Sequence, residues 1–312
     1  MSTRTTHRSR LAGLITASVV AGAALSACGT EDTAADPEDG ASSSAPTSPA
    51  TSAAPSGTAT SDPSPSESGG TADTVAVPAY FVGDTPLGQR LFREFRDVPA
   101  GSPVNEALAL ITSGDALDPD YTTLLPTGTL SAAAQSTTID VALPDASWAQ
   151  APAGTSTEQA TLAVQQVVHT VQGALQQQLP VTFTLDGAPS PVLGLTAPDG
   201  GFTPGEFTDV LALVNVTDPA EGATVNGSFT ASGVASSFEG TVPWELRDAS
   251  GTAVVDGSAQ ADGWLDALYP WEATVDLTGV APGTYTFVAL TDDPSGGEGG
   301  GPTEDTRTVT VQ

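Results

Sequence analysis

Few side chains in this sequence have reactive chemistry to offer, and their spacing narrows it further. Cys28 is the single thiol, and His169 is the single histidine beyond the basic start of the chain, where His7 lies. His169 sits among Gln165, Gln166, Gln172 and Gln176, which places it on the polar face of a helix. No Ser-His-Asp or Cys-His pattern surrounds it and no G-x-S-x-G turn occurs. With no second His or Cys beside it, zinc or copper has no ligand set. There is no lysine, which excludes a P-loop lysine, a Schiff base and a Ser-x-x-Lys acylase.

Carboxylates are abundant. They gather at Asp256, Asp262 and Asp266, and again at Asp292, Asp293, Glu298, Glu304 and Asp305. Glycoside hydrolysis needs two carboxylates facing each other across a cleft, whereas these lie in loop-like text where acids meet water. Weak calcium coordination by Asp292, Asp293, Glu304 and Asp305 is the metal alternative, although the EF-hand pattern is absent. No catalytic residue is assigned and no cofactor is expected. Arg90, Arg93 and Arg96 form a basic patch that either meets an anionic partner or pairs internally with Glu94 and Asp97. Trp264, Tyr269 and Trp271 fall in a loose stretch, Gly263 to Glu272. They belong either to the core or to an exposed binding face.

Cys28 is best understood from the residues that precede it. Arg4, His7, Arg8 and Arg10 are followed by an uncharged run from Leu11 to Ala27, the layout of a secretory signal. The run is short and Ala/Gly-rich for a membrane span. Leu25-Ser26-Ala27-Cys28 resembles the lipobox of bacterial lipoproteins. That resemblance implies a diacylglyceryl group on Cys28, cleavage after Ala27 and anchoring on the extracytoplasmic face of the membrane. Each buried CH₂ adds roughly 0.8 kcal/mol, so two or three acyl chains hold firmly. Losing residues 1–27 removes three arginines and no acid, which takes the formal charge from -29 to -32. Such a chain is repelled by nucleic acid and by anionic headgroups.

After Cys28, residues 29–74 are Ser, Thr, Ala, Pro, Gly and acid, with no aromatic residue, so residues 28–74 are expected to form a disordered tether. As a coil, about 45 residues hold the rest of the chain roughly 35–40 Å from the membrane surface. Residues 75–194 then read as a small α+β domain of strands and two helices. Its strands are near 76–82, 91–98, 129–143 and 181–185. One helix starts at Ser102-Pro103, and the other starts at a capping box in Thr155-Ser156-Thr157-Glu158. Residues 195–210 read as a Gly/Pro/acid linker. Residues 211–312 read as about seven short strands, an immunoglobulin-like β-sandwich in which Tyr285 makes a tyrosine corner with the preceding turn.

The α+β stretch resembles the GerMN domain of spore-germination and sporulation lipoproteins. The resemblance is carried by Ala79-Tyr80-Phe81, Val104–Ile111, Leu125-Pro126-Thr127-Gly128-Thr129, Ile139-Asp140-Val141 and Glu158–Val171. The sandwich resembles the Gmad2 immunoglobulin-like module, through Pro219, Gly222, Val225, Gly233, Phe238-Glu239-Gly240, Gly251, Trp271-Glu272-Ala273 and Asp293-Pro294-Ser295, with Trp271 where Phe is expected. Those resemblances imply a non-enzymatic, lipid-anchored envelope protein. Its domains would act as scaffold, sensor or accessory modules for other envelope proteins. The alternative is a lipoprotein that binds wall polymer or a small ligand, and the remaining one is an envelope hydrolase with paired carboxylates.

Overall fold

The computed structural model describes residues 73–294, 296–298 and 300–312. The signal, the Leu25–Cys28 motif and the tether up to residue 72 lie outside the described residues. No helix among the described residues is long and apolar enough to cross a membrane.

The first domain begins with a long antiparallel hairpin, β1 (Thr74–Thr85) and β2 (Gly88–Pro99), in unbroken register from Thr74↔Pro99 to Thr85↔Gly88. Both strands extend beyond the apolar text that announces them, because each polar end pairs with its partner. Helix α1 (Pro103–Ser113) follows Ser102, with Pro103 in its first turn, and Gly114 closes it at φ 69°. That left-handed conformation favours glycine.

Strands β3 (Ser131–Ala134), β4 (Ile139–Ala142), β5 (Val181–Leu185) and β6 (Ala188–Pro189) form a second sheet in that order. β4 and β5 run parallel because helix α2 (Thr157–Leu175) makes the crossover between them. The capping box of α2 sits one residue later than the sequence suggests. Ser156 is the cap, and Gln159 rather than Glu158 closes the box, with both hydrogen bonds at 3.2 Å. Phe81, Leu108, Ile111, Ile139, Trp148, Val168 and Phe183 fill the core between helices and sheets.

Residues 195–210 are not a free linker. Phe202 bridges to Val181 and meets Phe183 edge-on, and a short helix α3 (Phe207–Val210) seats Val210 against Val82, Leu91 and Leu162. Their apolar residues are too few to look like an element, but each finds a place on the first domain.

The second domain is a two-sheet sandwich. One sheet holds β11 (Ala253–Gln260), β10 (Thr241–Arg247), β13 (Gly283–Leu290), β14 (Glu304–Val311) and β8 (Ala223–Val225), in that order. The other holds β12 (Tyr269–Asp276), β9 (Ser228–Ala235) and β7 (Val214–Asp218). Trp244, Trp271, Val275, Phe287 and Val309 pack between them. Strand β8, which the sequence pattern does not announce, pairs parallel with β14. Tyr285 Oη donates to the Ala281 carbonyl at 2.9 Å, as a tyrosine corner requires. A Cβ on Gly233 would lie 1.9 Å from the Asn215 carbonyl oxygen, so β7 and β9 meet only around a glycine.

Candidate interdomain site

The densest polar chemistry lies where the two domains meet. On β14 the side chains alternate, and Asp305, Arg307, Val309 and Val311 all point inward. Two of those four inward positions are therefore charged. Asp305 and Arg307 are 2% and 3% exposed. A charge that far from water needs a partner. The loop after α1 supplies Asp118, 2% exposed, and Tyr121.

Arg307 Nη1 donates to Asp118 at 2.6 Å, to Asp305 at 2.9 Å and to Tyr121 Oη at 3.1 Å, and Nη2 donates to the Val216 carbonyl at 2.8 Å. Tyr121 Oη donates to Asp305 at 2.5 Å. The other Asp305 oxygen accepts from the Val216 N–H at 2.6 Å and the Asn215 amide at 3.0 Å. Glu94 of β2, itself buried, fixes the contributing loop by accepting from the N–H groups of Leu117 and Asp118, each at 2.9 Å in its shortest contact. Tyr121 stacks on Phe92 with ring centroids 4.9 Å apart.

The electrostatics follow from burial. Desolvation pushes the Asp118 carboxyl up to about 7, although the backbone N–H of Asp120 and the Arg307 cation draw it down. Burial alone would lower Arg307, but Asp305, Tyr121 and Asp118 outweigh it and raise the guanidinium. Burial, reinforced by Asp305, also raises the Tyr121 phenol well above its ordinary value. Asp118, Tyr121 and Arg307 are therefore electrostatically coupled at the domain junction.

The side chains singled out from the sequence are distributed around this junction. Asp305 is not a loop ligand for calcium, because it is buried in the network, and Glu304 is drawn to Arg247 at 3.2 Å. The Asp292 N–H bonds to Ser237 and Asp293 accepts from Gly297. Among the described residues no group of three His, Cys, Asp or Glu side chains is placed to hold a metal ion.

Arg96 pairs with Glu94 and Asp115, at 3.4 and 3.2 Å. Arg90 donates to the carbonyls of Thr208 and Gln89. Arg93 lies over the Phe95 ring at 4.7 Å and reaches Thr217 at 3.4 Å. Neither Arg90 nor Arg93 has a carboxylate within ion-pair distance among the described residues.

The aromatic trio is split. Trp271 faces the core at 3% exposure, because the β12 alternation turns it inward with Ala273 and Val275. Trp264 is half-buried, edge-on to Phe238 at 5.2 Å, and Tyr269 donates to Asp266 at 2.8 Å.

His169 is not on a solvent face. It packs on Tyr80 with ring centroids 5.2 Å apart, and burial holds it down at about 4. Gln165, Gln166 and Gln172 beside it are buried, whereas Gln176 is exposed; Gln165 bonds to the backbone of Thr203 and Gly205, and Gln172 to that of Leu179.

A groove of about 480 Å³ runs along the junction between β2 and the outer face of the β12–β9–β7 sheet, with Arg93 and Phe95 on one wall and Pro270 and Glu272 on the other.

Residues 78–191 match a family model described as sporulation and spore germination (Germane), and residues 213–298 match one described as the immunoglobulin-like domain of bacterial spore germination (Gmad2). Among solved structures, the tandem GerMN domains of the sporulation protein GerM from Bacillus subtilis are similar at 15% identity, over 67% of this chain and 63% of that one, with a TM-score of 0.33. This chain thus spans less than two thirds of that structure's length. CopC from Methylosinus trichosporium OB3b is similar at 20% identity, over 32% of this chain and 93% of that one, with a TM-score of 0.21. No curated protein matches.

Proposed function

Because this chain joins a Germane domain of the GerMN type to a Gmad2 domain, we propose that it is a non-enzymatic, lipid-anchored module of the cell envelope. It would present the joined domains to other envelope proteins in a germination- or sporulation-type role. The observation that carries this reading is the buried network of Asp118, Tyr121, Asp305 and Arg307. A junction of fixed charges joins the domains in one orientation, and a partner then meets a composite surface instead of two independent modules. The buried carboxylates Asp118 and Asp305 are both paired with Arg307, which favours a structural use of these acids over hydrolysis. Anchoring rests on Leu25-Ser26-Ala27-Cys28, and the tether would carry the body away from the lipid.

The test is crosslinking with mass spectrometry on native cells, comparing wild type with Cys28→Ala and Arg307→Met. Capture of the same envelope proteins by wild type, lost in both variants, supports the reading. Unchanged capture by Arg307→Met overturns the composite surface, and unchanged membrane retention of Cys28→Ala overturns the anchor.

A further inference from the structure

We infer that the end of the sandwich carrying Phe238, Trp264 and Leu265 is a contact surface for a protein partner with a shallow apolar pocket rimmed by arginine or lysine. The inference deepens the envelope-module reading above and rests on it. Phe238 lies between β9 and β10, and Trp264 and Leu265 lie between β11 and β12. The two connections are tied together. The Ala261 N–H donates to the Gly240 carbonyl at 2.8 Å, Gln260 Nε2 donates to the Glu239 carbonyl at 2.8 Å, and the Leu265 N–H donates to Ser236 Oγ at 3.2 Å.

Leu265 is 67% exposed and stands at φ 82°. Left-handed backbone is costly for a bulky side chain and persists only where the surroundings impose it. They do so here. The Tyr269 ring lies on Gly263, where a Cβ would come within 2.7 Å of it, and its hydroxyl donates to Asp266 at 2.8 Å. Residues 263–266 are thus held from both sides, and an aliphatic side chain is presented to water in a fixed position. Phe238, 40% exposed, meets the same loop through the Trp264 ring. Folding gains nothing from leaving such groups in water, whereas a group already fixed lowers the ordering cost of association. An apolar patch with a polar rim is the layout of an interaction site.

Charge selects the occupant. Glu239, Asp262 and Asp266 flank the patch, all three are exposed, and neither connection contains a cation. None of the three is in an ion pair among the described residues. Acids around an apolar centre favour a surface whose own rim is cationic. They repel the anionic headgroups of a lipid surface. A second copy meeting this one about a two-fold axis would set the same three acids against each other.

The test places photoreactive benzoylphenylalanine at position 238 of the full chain, in membranes from native cells. The same probe at position 254 is the control, since Val254 on β11 is also exposed but lies outside the patch. The expected product joins position 238 to an apolar residue of another protein with arginine or lysine around it, and position 254 gives no such product. Glu239→Gln combined with Asp262→Asn lowers the yield by about five-fold. Leu265→Asn lowers it by about ten-fold. Asparagine tolerates left-handed backbone better than leucine, so the melting temperature of that variant in detergent holds or rises by up to about 4 °C. The inference is overturned if position 238 captures lipid, a second copy of this chain or nothing, if position 254 captures the same protein equally well, or if either variant leaves the yield unchanged. A melting temperature lowered by more than about 4 °C in Leu265→Asn also overturns it, because Leu265 then serves folding. If position 238 captures nothing while whole-chain crosslinking still captures envelope proteins, this surface fails and the envelope-module reading stands; if both capture nothing, both fail.

Discussion

Replacing Arg307 with Met is the sharpest test of the junction. Methionine keeps much of the side-chain length but none of the donors. Asp118 and Asp305 would be left buried without their cation, and the Val216 carbonyl would lose a bond of 2.8 Å. Removing one partner of a buried pair costs roughly 3–5 kcal/mol, and the stranded carbonyl adds about 1 kcal/mol. Against a typical total of roughly 5–15 kcal/mol, that is about a quarter or more of the stability. Burial already holds the Asp118 proton up to about 7. In the variant that proton binds more tightly still, so acid relieves part of the penalty. The expected loss is therefore larger at about pH 8 than at about pH 5. Urea unfolding of the full chain at both pH values, followed by tryptophan fluorescence, measures it. A loss under about 1 kcal/mol, the size of an exposed pair, and equal at both pH values would refute the reasoning.

Other consequences are equally checkable. His169 is held at about 4 against an unfolded value of 6.5, so the unfolded chain binds its proton first as pH falls. Its contribution is complete above about pH 6.5 and is lost as pH falls towards about 4; His169→Gln should remove that limb, at most about 3 kcal/mol, from the stability–pH curve. Glu94→Gln weakens the charge-assisted bonds to the N–H groups of Leu117 and Asp118, and a melt should show a loss of about 2 kcal/mol. Gly233→Ala drives a methyl group into the Asn215 carbonyl. Hydrogen exchange should show lost protection in β7 and β9, with destabilisation of about 3 kcal/mol or more.

Much of the architecture is legible in the sequence because it rests on local signals. Gly114 ends a helix for a reason that one residue type carries, and Tyr285 finds its carbonyl four residues back. The sandwich strands arise from alternation and turns. The misplaced features are those decided at long range. Gln165 of α2 looks solvated, but it is buried, and it bonds to Thr203 and Gly205 of the segment that folds over it. Asp305 looks like a loop acid because it stands beside Glu304. A signal is present, since Asp305 and Arg307 share the parity of Val309 and Val311. Parity says that they face inward, and only the fold says that Asp118 and Tyr121 wait there. The groove is legible in pieces, as Arg93 in one stretch and Glu272 in another, with nothing local to bring them together.

The junction also has a timetable. Arg307 meets Asp118 across a separation of 189 residues. At about 5–20 residues per second, roughly 10–40 s of synthesis pass between the two. Through that interval the loop holding Asp118 and Tyr121 has neither the cation nor the carboxylate that complete it. The first domain has the helices, sheets and core to form early, but the joined surface comes into being only when β14 arrives. Joining is then a late event, set by the arrival of β14 and not by the folding of the first domain.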